Sequence, residues 1–160
     1  MDLELCFIKE DYFKAHTKLL KILDPDDSKK QTQRTYLFIF EDEHSNKYYI
    51  PLRTNLGYAL RKFGRIGHSL PSQKRPKAGL DFRHALIVND SDYLEPQNEL
   101  KIPQAQYNRI KLDLNRIQKE FVEYVNRYKK MAKKKRTQKE PLFRDSSLVN
   151  FHSELELPMS

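Results

Sequence analysis

Arg53, Thr54 and Asn55 place a guanidinium, a hydroxyl and a side-chain amide in a row. They follow Lys47 to Leu52, a short run of strand formers interrupted by Pro51 near its end. A strand end holds such groups rigidly at the point where the chain leaves a sheet, and packing requires none of the three. A planar guanidinium matches a phosphate through paired N–H donors, and a hydroxyl and an amide suit a ribose. The block is therefore a candidate cradle for a sugar–phosphate.

Other chemistries find little support. One cysteine, Cys6, and five scattered histidines do not make a zinc site. A magnesium nuclease needs carboxylates at the ends of core strands, whereas the acids here fall mostly in turns and on the first helix. No Gly-x-x-x-x-Gly-Lys is present, and four glycines are too few for a dinucleotide fingerprint. Cys6 lies inside an apolar strand and reads as an inert buried thiol. A lone cysteine allows no disulfide within the chain and suits a reducing cytosol. What remains is metal-free, cofactor-free chemistry on phosphate. RNA carries its own nucleophile, the ribose 2′-hydroxyl, so its cleavage needs positioning, proton transfer and charge stabilisation. Composition permits this chemistry. It also permits a non-catalytic RNA-binding module, or a protein–protein regulator whose charge serves solubility.

The formal charge of +8 favours a polyanionic partner, nucleic acid first and an anionic membrane surface second. No apolar run approaches the length of a membrane span. Residues 64–79 read as one long loop carrying Arg65, His68, Lys74, Arg75 and Lys77 without an acid, a candidate RNA contact. His68 is a titratable group that such a loop could bring to the site. Lys133 and Lys134 extend a basic helix end towards the same kind of partner. Tyr48 and Tyr49 could stack bases, although alternation sends one of them inward.

The elements that must position these groups form an α+β pattern. Leu3 to Ile8 reads as a strand and Glu10 to Leu23 as a helix, with Phe13, His16, Leu19, Leu20 and Leu23 at helical spacing. Residues 24–28 read as the start of a polar loop. Arg34 to Phe40 and Lys47 to Leu52 read as a hairpin, Leu56 to Phe63 as a short helix, and Phe82 to Val88 as a third strong strand. Residues 95–101 look irregular. Pro103 opens the longest helix, whose stripe runs Tyr107, Ile110, Leu114, Ile117, Phe121, Tyr124 or Val125, and Tyr128. After Pro141 the tail is amphipathic at Leu148, Phe151 and Leu155, the pattern of a small docked helix over 137–160. The length of 160 residues fits one domain.

Several blocks together resemble the ToxN/AbiQ family of endoribonuclease toxins from type III toxin–antitoxin systems, and within it the TenpN branch. They are Phe7, Ile8 and Lys9 followed by Tyr12; Arg34 to Leu37; Tyr48 to Asn55; and Gly79 to Asp90 followed by Tyr93. The resemblance covers about the first two-thirds of the chain. It implies a compact, twisted antiparallel sheet similar to the barrel core of Kid/MazF-type toxins, with packed helices. It implies metal-independent cleavage leaving a 2′,3′-cyclic phosphate and a 5′-hydroxyl. It also implies an antitoxin RNA of pseudoknot repeats bound over the site, assembling with the protein into a higher-order complex in the bacterial cytoplasm. On the matching positions Thr54 takes the place of a reactive-site serine, Arg34 that of a basic residue ahead of the second strand, and Tyr12 that of a site tyrosine. Arg53 and Asn55 flank the hydroxyl. The lysine that follows the hydroxyl pair in some members is absent, and no proton-transfer residue is evident in the block.

Overall fold

A computed structural model of the chain describes residues 3–57 and 66–159. Seven strands form one antiparallel sheet: β1 (Leu5–Ile8), β2 (Tyr36–Glu41), β3 (Lys47–Arg53), β4 (Gly67–Ser69), β5 (Gly79–Asp81), β6 (Leu86–Ile87) and β7 (Leu94–Pro96). Their order is β4-β5-β3-β2-β1-β7, with β6 also on β3. Among the described residues the helices are α1 (Glu10–Ala15), α2 (Ser28–Gln33) and α3 (Gln104–Lys133), with two 3-10 turns between β5 and β7 and two after α3. The architecture is α+β as the pattern indicated, but the sheet is open. Its end strands β4 and β7 have three residues each and do not pair with one another, so no closed barrel forms.

β3 organises the sheet. One edge pairs with β2 from Tyr36↔Pro51 to Glu41↔Lys47. The other edge is shared, with β6 opposite Tyr48 and Tyr49 and β5 opposite Leu52 and Arg53. Pro51 is therefore not the end of the strand. The Leu52 amide donates to Thr35 O at 2.9 Å and carries the pairing past it. Tyr48 and Tyr49 are both buried, Tyr48 completely, and Tyr48 stacks on Phe40 at 4.6 Å. Neither presents a free face for a base.

α3 lies across the sheet. Ile110, Ile117, Phe121, Tyr124, Val125 and Tyr128 are buried, and Phe121 meets Phe40, Tyr48 and Phe82 edge-on. Leu148, Phe151 and Leu155 bury the tail against this core, and Ser147 Oγ donates to the Ala85 carbonyl. The tail helix is the short 3-10 turn Ser147–Phe151.

Local chemistry shortens or replaces several expected elements. The helix expected to Leu23 ends at Ala15, because His16 Nδ1 donates to the Tyr12 carbonyl at 2.7 Å in place of a continuing backbone bond. The polar stretch after it contains α2, capped where Asp27 accepts from the Lys30 amide. The long basic loop is largely a hairpin, β4 and β5 joined by residues 70–78. At Gly67 and Gly79 an added Cβ would strike the Leu80 and His68 carbonyl oxygens, so the two strands approach as only glycine allows. The expected strand at Phe82 to Val88 starts as a 3-10 turn, Phe82–His84, and only Leu86 and Ile87 pair. The span read as irregular begins inside β7. Most of the expected helix at 56–63, and Arg65, lie outside the described residues.

Candidate phosphate-binding site

The end of β3 and the end of β5 meet at Asp81. This carboxylate has no exposed surface. Its Oδ1 accepts from the Arg83 amide and Arg83 Nε, each at 3.1 Å. Its Oδ2 accepts from Arg83 Nη2 at 2.9 Å and from Arg53 Nη1 at 3.0 Å. Burial pushes the Asp81 carboxyl up, but the bonds from Arg83, the charges of His84 and Arg83, and the Arg53 bond outweigh it and hold the group below the ordinary carboxylate range. One buried anion thus fixes two guanidiniums. Arg83 is gripped at two nitrogens, while Arg53 is held through one among the described residues and is 28% exposed.

Arg34 joins the same strand end from the other side. Its Nη1 donates to the Leu52 carbonyl at 3.1 Å and its Nη2 pairs with Asp24 at 2.7 Å. Thr54 and Asn55 follow Arg53 and are exposed. Asn55 Oδ1 accepts from the Gly57 amide at 2.7 Å, and Gly57 sits at φ +68°. That oxygen closes a turn, so the amide nitrogen is the part of Asn55 left to meet a ligand. The basic hairpin is fastened directly behind: the Leu56 amide donates to Lys77 O at 2.8 Å. Lys74 and Arg75 are exposed on its tip, where the Ser72 and Arg75 backbones bond each other.

Four expected members stand elsewhere. Tyr12 is buried, its hydroxyl donates to Ile87 O at 3.3 Å, and its ring packs on Phe13, His16 and Tyr93. It borders a separate groove of about 290 Å³ with His16, Asn89, Asp90 and Glu154, and does not touch the Asp81 cluster. His68 is not a loop histidine reaching for RNA. It is 6% exposed on β4, with Nε2 3.0 Å from Asp113 and Nδ1 3.1 Å from Glu120, both on α3. Burial raises the Asp113 carboxyl, but bonds from His68 and Arg109 and the charge of Arg116 bring it below its usual value. Lys133 and Lys134 end α3 far from the hairpin. Gln106 near its start bonds Leu70 O, and 27 residues at 1.5 Å each put Lys133 about 40 Å away along the axis.

The sequence reading missed Asp81, Arg83 and His84. His84 Nδ1 lies 2.7 Å from the Lys21 carbonyl and Nε2 lies 3.9 Å from Asp81 Oδ2. The available signal was Asp81 two residues ahead of Arg83, the spacing at which an Asp side chain accepts a backbone amide and starts a turn. Cys6 is 7% exposed, and burial followed by the Glu4 charge pushes its thiol up to about 12, so it offers no nucleophile. Among the described residues no group of three or more His, Cys, Asp or Glu is arranged to hold a metal ion, and no helix is long and apolar enough to cross a membrane.

No protein-family model and no curated protein matches the chain. Solved structures do. AbiQ, a lactococcal anti-phage endoribonuclease belonging to the type III toxin–antitoxin system, aligns with 19% identity and a TM-score of 0.66 over 98% of each chain. A chain from a bacterial type III system, in which a non-coding RNA pseudoknot selectively inhibits the toxin, aligns with 15% identity and a TM-score of 0.59. That match covers 78% of this chain and 79% of that one. A third, from a bacterial antiviral system regulated by a processed non-coding RNA, has 12% identity and a TM-score of 0.57, covering 79% and 85%. At these identities the likeness is one of architecture: the chain has the fold of AbiQ and of proteins from type III toxin–antitoxin systems, the group its sequence blocks resemble.

Proposed function

We propose that the chain is an endoribonuclease toxin of a type III toxin–antitoxin system, held inactive by a cognate RNA. The observation that carries this reading is the pair Arg53 and Arg83 fixed on one buried carboxylate, beside an exposed hydroxyl, Thr54. A guanidinium, Arg53, held before substrate arrives by a carboxylate that Arg83 also grips, is suited to a phosphoryl group whose charge grows in the transition state. Cleavage proceeds by in-line attack of the 2′-oxygen on the adjacent phosphorus, giving a 2′,3′-cyclic phosphate and a 5′-hydroxyl. The nucleophile belongs to the substrate, so a metal-bound water is not required. Arg53 faces the phosphoryl oxygens, Arg34 adds positive charge at the strand end, and Thr54 orients the ribose or phosphate.

The RNA antitoxin fits the exposed hairpin of Lys74 and Arg75, which stands directly behind Asn55 and Leu56. An RNA covering that hairpin also covers the strand end, which is how binding and inhibition would coincide. A contact at Lys133 and Lys134 as well requires an RNA, or an assembly of several, that spans about 40 Å.

The test is direct. Purified protein freed of RNA by high salt is incubated with mixed RNA in EDTA, and the ends are mapped. Cleavage with cyclic-phosphate ends, blocked by a single 2′-deoxy substitution at the cut position and abolished in Arg53→Ala and Thr54→Ala, supports the reading. Intact RNA after incubation overturns it and leaves the non-catalytic RNA-binding module, whose mark is salt-sensitive RNA retention without cleavage.

A further inference from the structure

Strand-end chemistry as described lacks a proton acceptor for the 2′-hydroxyl, and His84 stands in the cluster. Its Nδ1 lies 2.7 Å from the Lys21 carbonyl, which can only accept, so Nδ1 carries the proton. In the neutral ring the lone pair is therefore on Nε2. That nitrogen is 3.9 Å from Asp81 Oδ2, too far for a hydrogen bond to occupy it. The side chain is 13% exposed, sheltered yet not sealed.

The turn bearing the ring packs on β3, β4 and the tail turn Ser147–Phe151, and Asp145, just ahead of that tail turn, pairs with Lys21 at 3.8 Å and adds its charge at Arg83. Asp81 belongs to β5, Arg83 to the same turn, Arg53 to β3, and the Lys21 carbonyl to the loop between α1 and α2. Burial lowers the imidazole below its ordinary value, the Asp81 charge and the bond to the Lys21 carbonyl oppose this, and the Arg83 and Arg53 charges add to the lowering. The ring is thus neutral near pH 7, as a base must be.

The other histidines stand away from this cluster. His68 has a carboxylate at each nitrogen. His152 is bonded by Tyr128 Oη at one nitrogen and the Pro158 carbonyl at the other. His16 lies in the Tyr12 groove, and His44 in the β2–β3 turn between Glu43 and Glu156.

We propose that His84 is the general base of RNA cleavage, a role that rests on the endoribonuclease reading. His84 Nε2 takes the proton from the 2′-hydroxyl. The 2′-oxygen forms a bond to phosphorus, the bond from phosphorus to the 5′-oxygen breaks, and its electron pair leaves on that oxygen. Solvent water protonates the 5′-oxygen, and the imidazolium returns its proton to solvent. Asp81, 3.9 Å away, stabilises the imidazolium while it exists. The Lys21 carbonyl fixes the tautomer, so the loop bearing it is a positioning element.

His84→Asn tests this with the fold retained, since the Asn amide can still donate to Lys21 O but offers no basic nitrogen. Cleavage of a short RNA is measured from pH 5 to 8 beside wild type. The expected result is a loss of about 100-fold or more, with unchanged RNA affinity. The wild-type profile should show an acid limb centred below pH 6.5 that the variant lacks. His84→Ala should recover part of the rate when imidazole is added. Cleavage by His84→Asn within about threefold of wild type, or a wild-type profile with no acid limb above the pH of unfolding, overturns the base assignment and leaves the nuclease reading intact. If wild type cuts nothing, both fall together.

Discussion

Replacing Asp81 by Asn changes one oxygen to an amide nitrogen and creates no cavity. The variant therefore isolates charge and hydrogen bonding. Wild-type Asp81 accepts four bonds, three from Arg83 and one from Arg53, with none of its surface exposed. The amide nitrogen of Asn would point donors at donors on one side and leave two guanidiniums without a counter-ion. Removing one partner of a buried pair costs about 3–5 kcal/mol. Arg53 and Arg83 remain 28% and 12% exposed and can draw on water, which favours the lower end, about 3 kcal/mol. With a urea slope of about 2 kcal/mol/M, the midpoint should fall by about 1.5 M.

The effect has a defined pH dependence. The folded carboxyl lies below its unfolded value of 3.8, so its stabilisation is fully present above that value. It disappears as pH falls through the folded value. Urea melts of both proteins at pH 7 and at successively lower pH check this, with circular dichroism as the probe. The midpoints should differ most at pH 7 and converge below pH 3.8. A difference under about 0.3 M at pH 7, typical of a surface substitution, would refute the claim that one buried anion holds the site together.

Neutralising the hairpin tip with Lys74→Ala and Arg75→Ala should weaken RNA binding and reduce the slope of log K against log salt by about 1.4, the loss of two single-strand phosphate contacts, read in a filter-binding titration. His68→Ala should lower the melting temperature by about 4–8 °C, since it removes the polar strut from β4 to Asp113 and Glu120, a loss of about 2 kcal/mol. Gly79→Ala drives a methyl group into the His68 carbonyl and the Leu56 side chain. It should cost about 1–3 kcal/mol and separate β4 from β5, seen as faster amide exchange at Leu80.

The sequence made Arg53 and Thr54 visible because a strand end followed by polar groups is a local pattern. The same holds for the α3 stripe, where Ile110, Ile117 and Phe121 are buried as their spacing requires. The partners of Arg53 were hidden for the opposite reason. Asp81 sits 28 residues away and meets Arg53 only once β3 and β5 pair. His84 was masked by its neighbours: Phe82, Ala85, Leu86 and Ile87 read as a continuous strand, and only the Asp81 side chain, bonded to the Arg83 amide, reveals the turn. α2 gave its cap, Asp27, but no apolar stripe, since only Gln31 on it is buried. His68 read as exposed because its loop is basic and polar. The helix that buries it begins 36 residues later and supplies its acids from a face otherwise apolar.

The positive charge of the chain consequently serves two purposes that composition cannot separate. Arg83, Arg34 and His68 are tied to Asp81, Asp24, Asp113 and Glu120 inside the fold. Lys74, Arg75, Lys133 and Lys134 are exposed. Arg53 stands between the two groups, anchored at one nitrogen among the described residues and 28% exposed. A polyanion approaching the exposed hairpin would then meet, at the adjoining strand end, a guanidinium tethered to Asp81 at 3.0 Å. In the proposed reaction, binding strength and chemistry fall to different cations. Substitutions at Lys74 and Arg75 should then move affinity and salt dependence, while Arg53→Ala should move the rate of cleavage far more than the affinity.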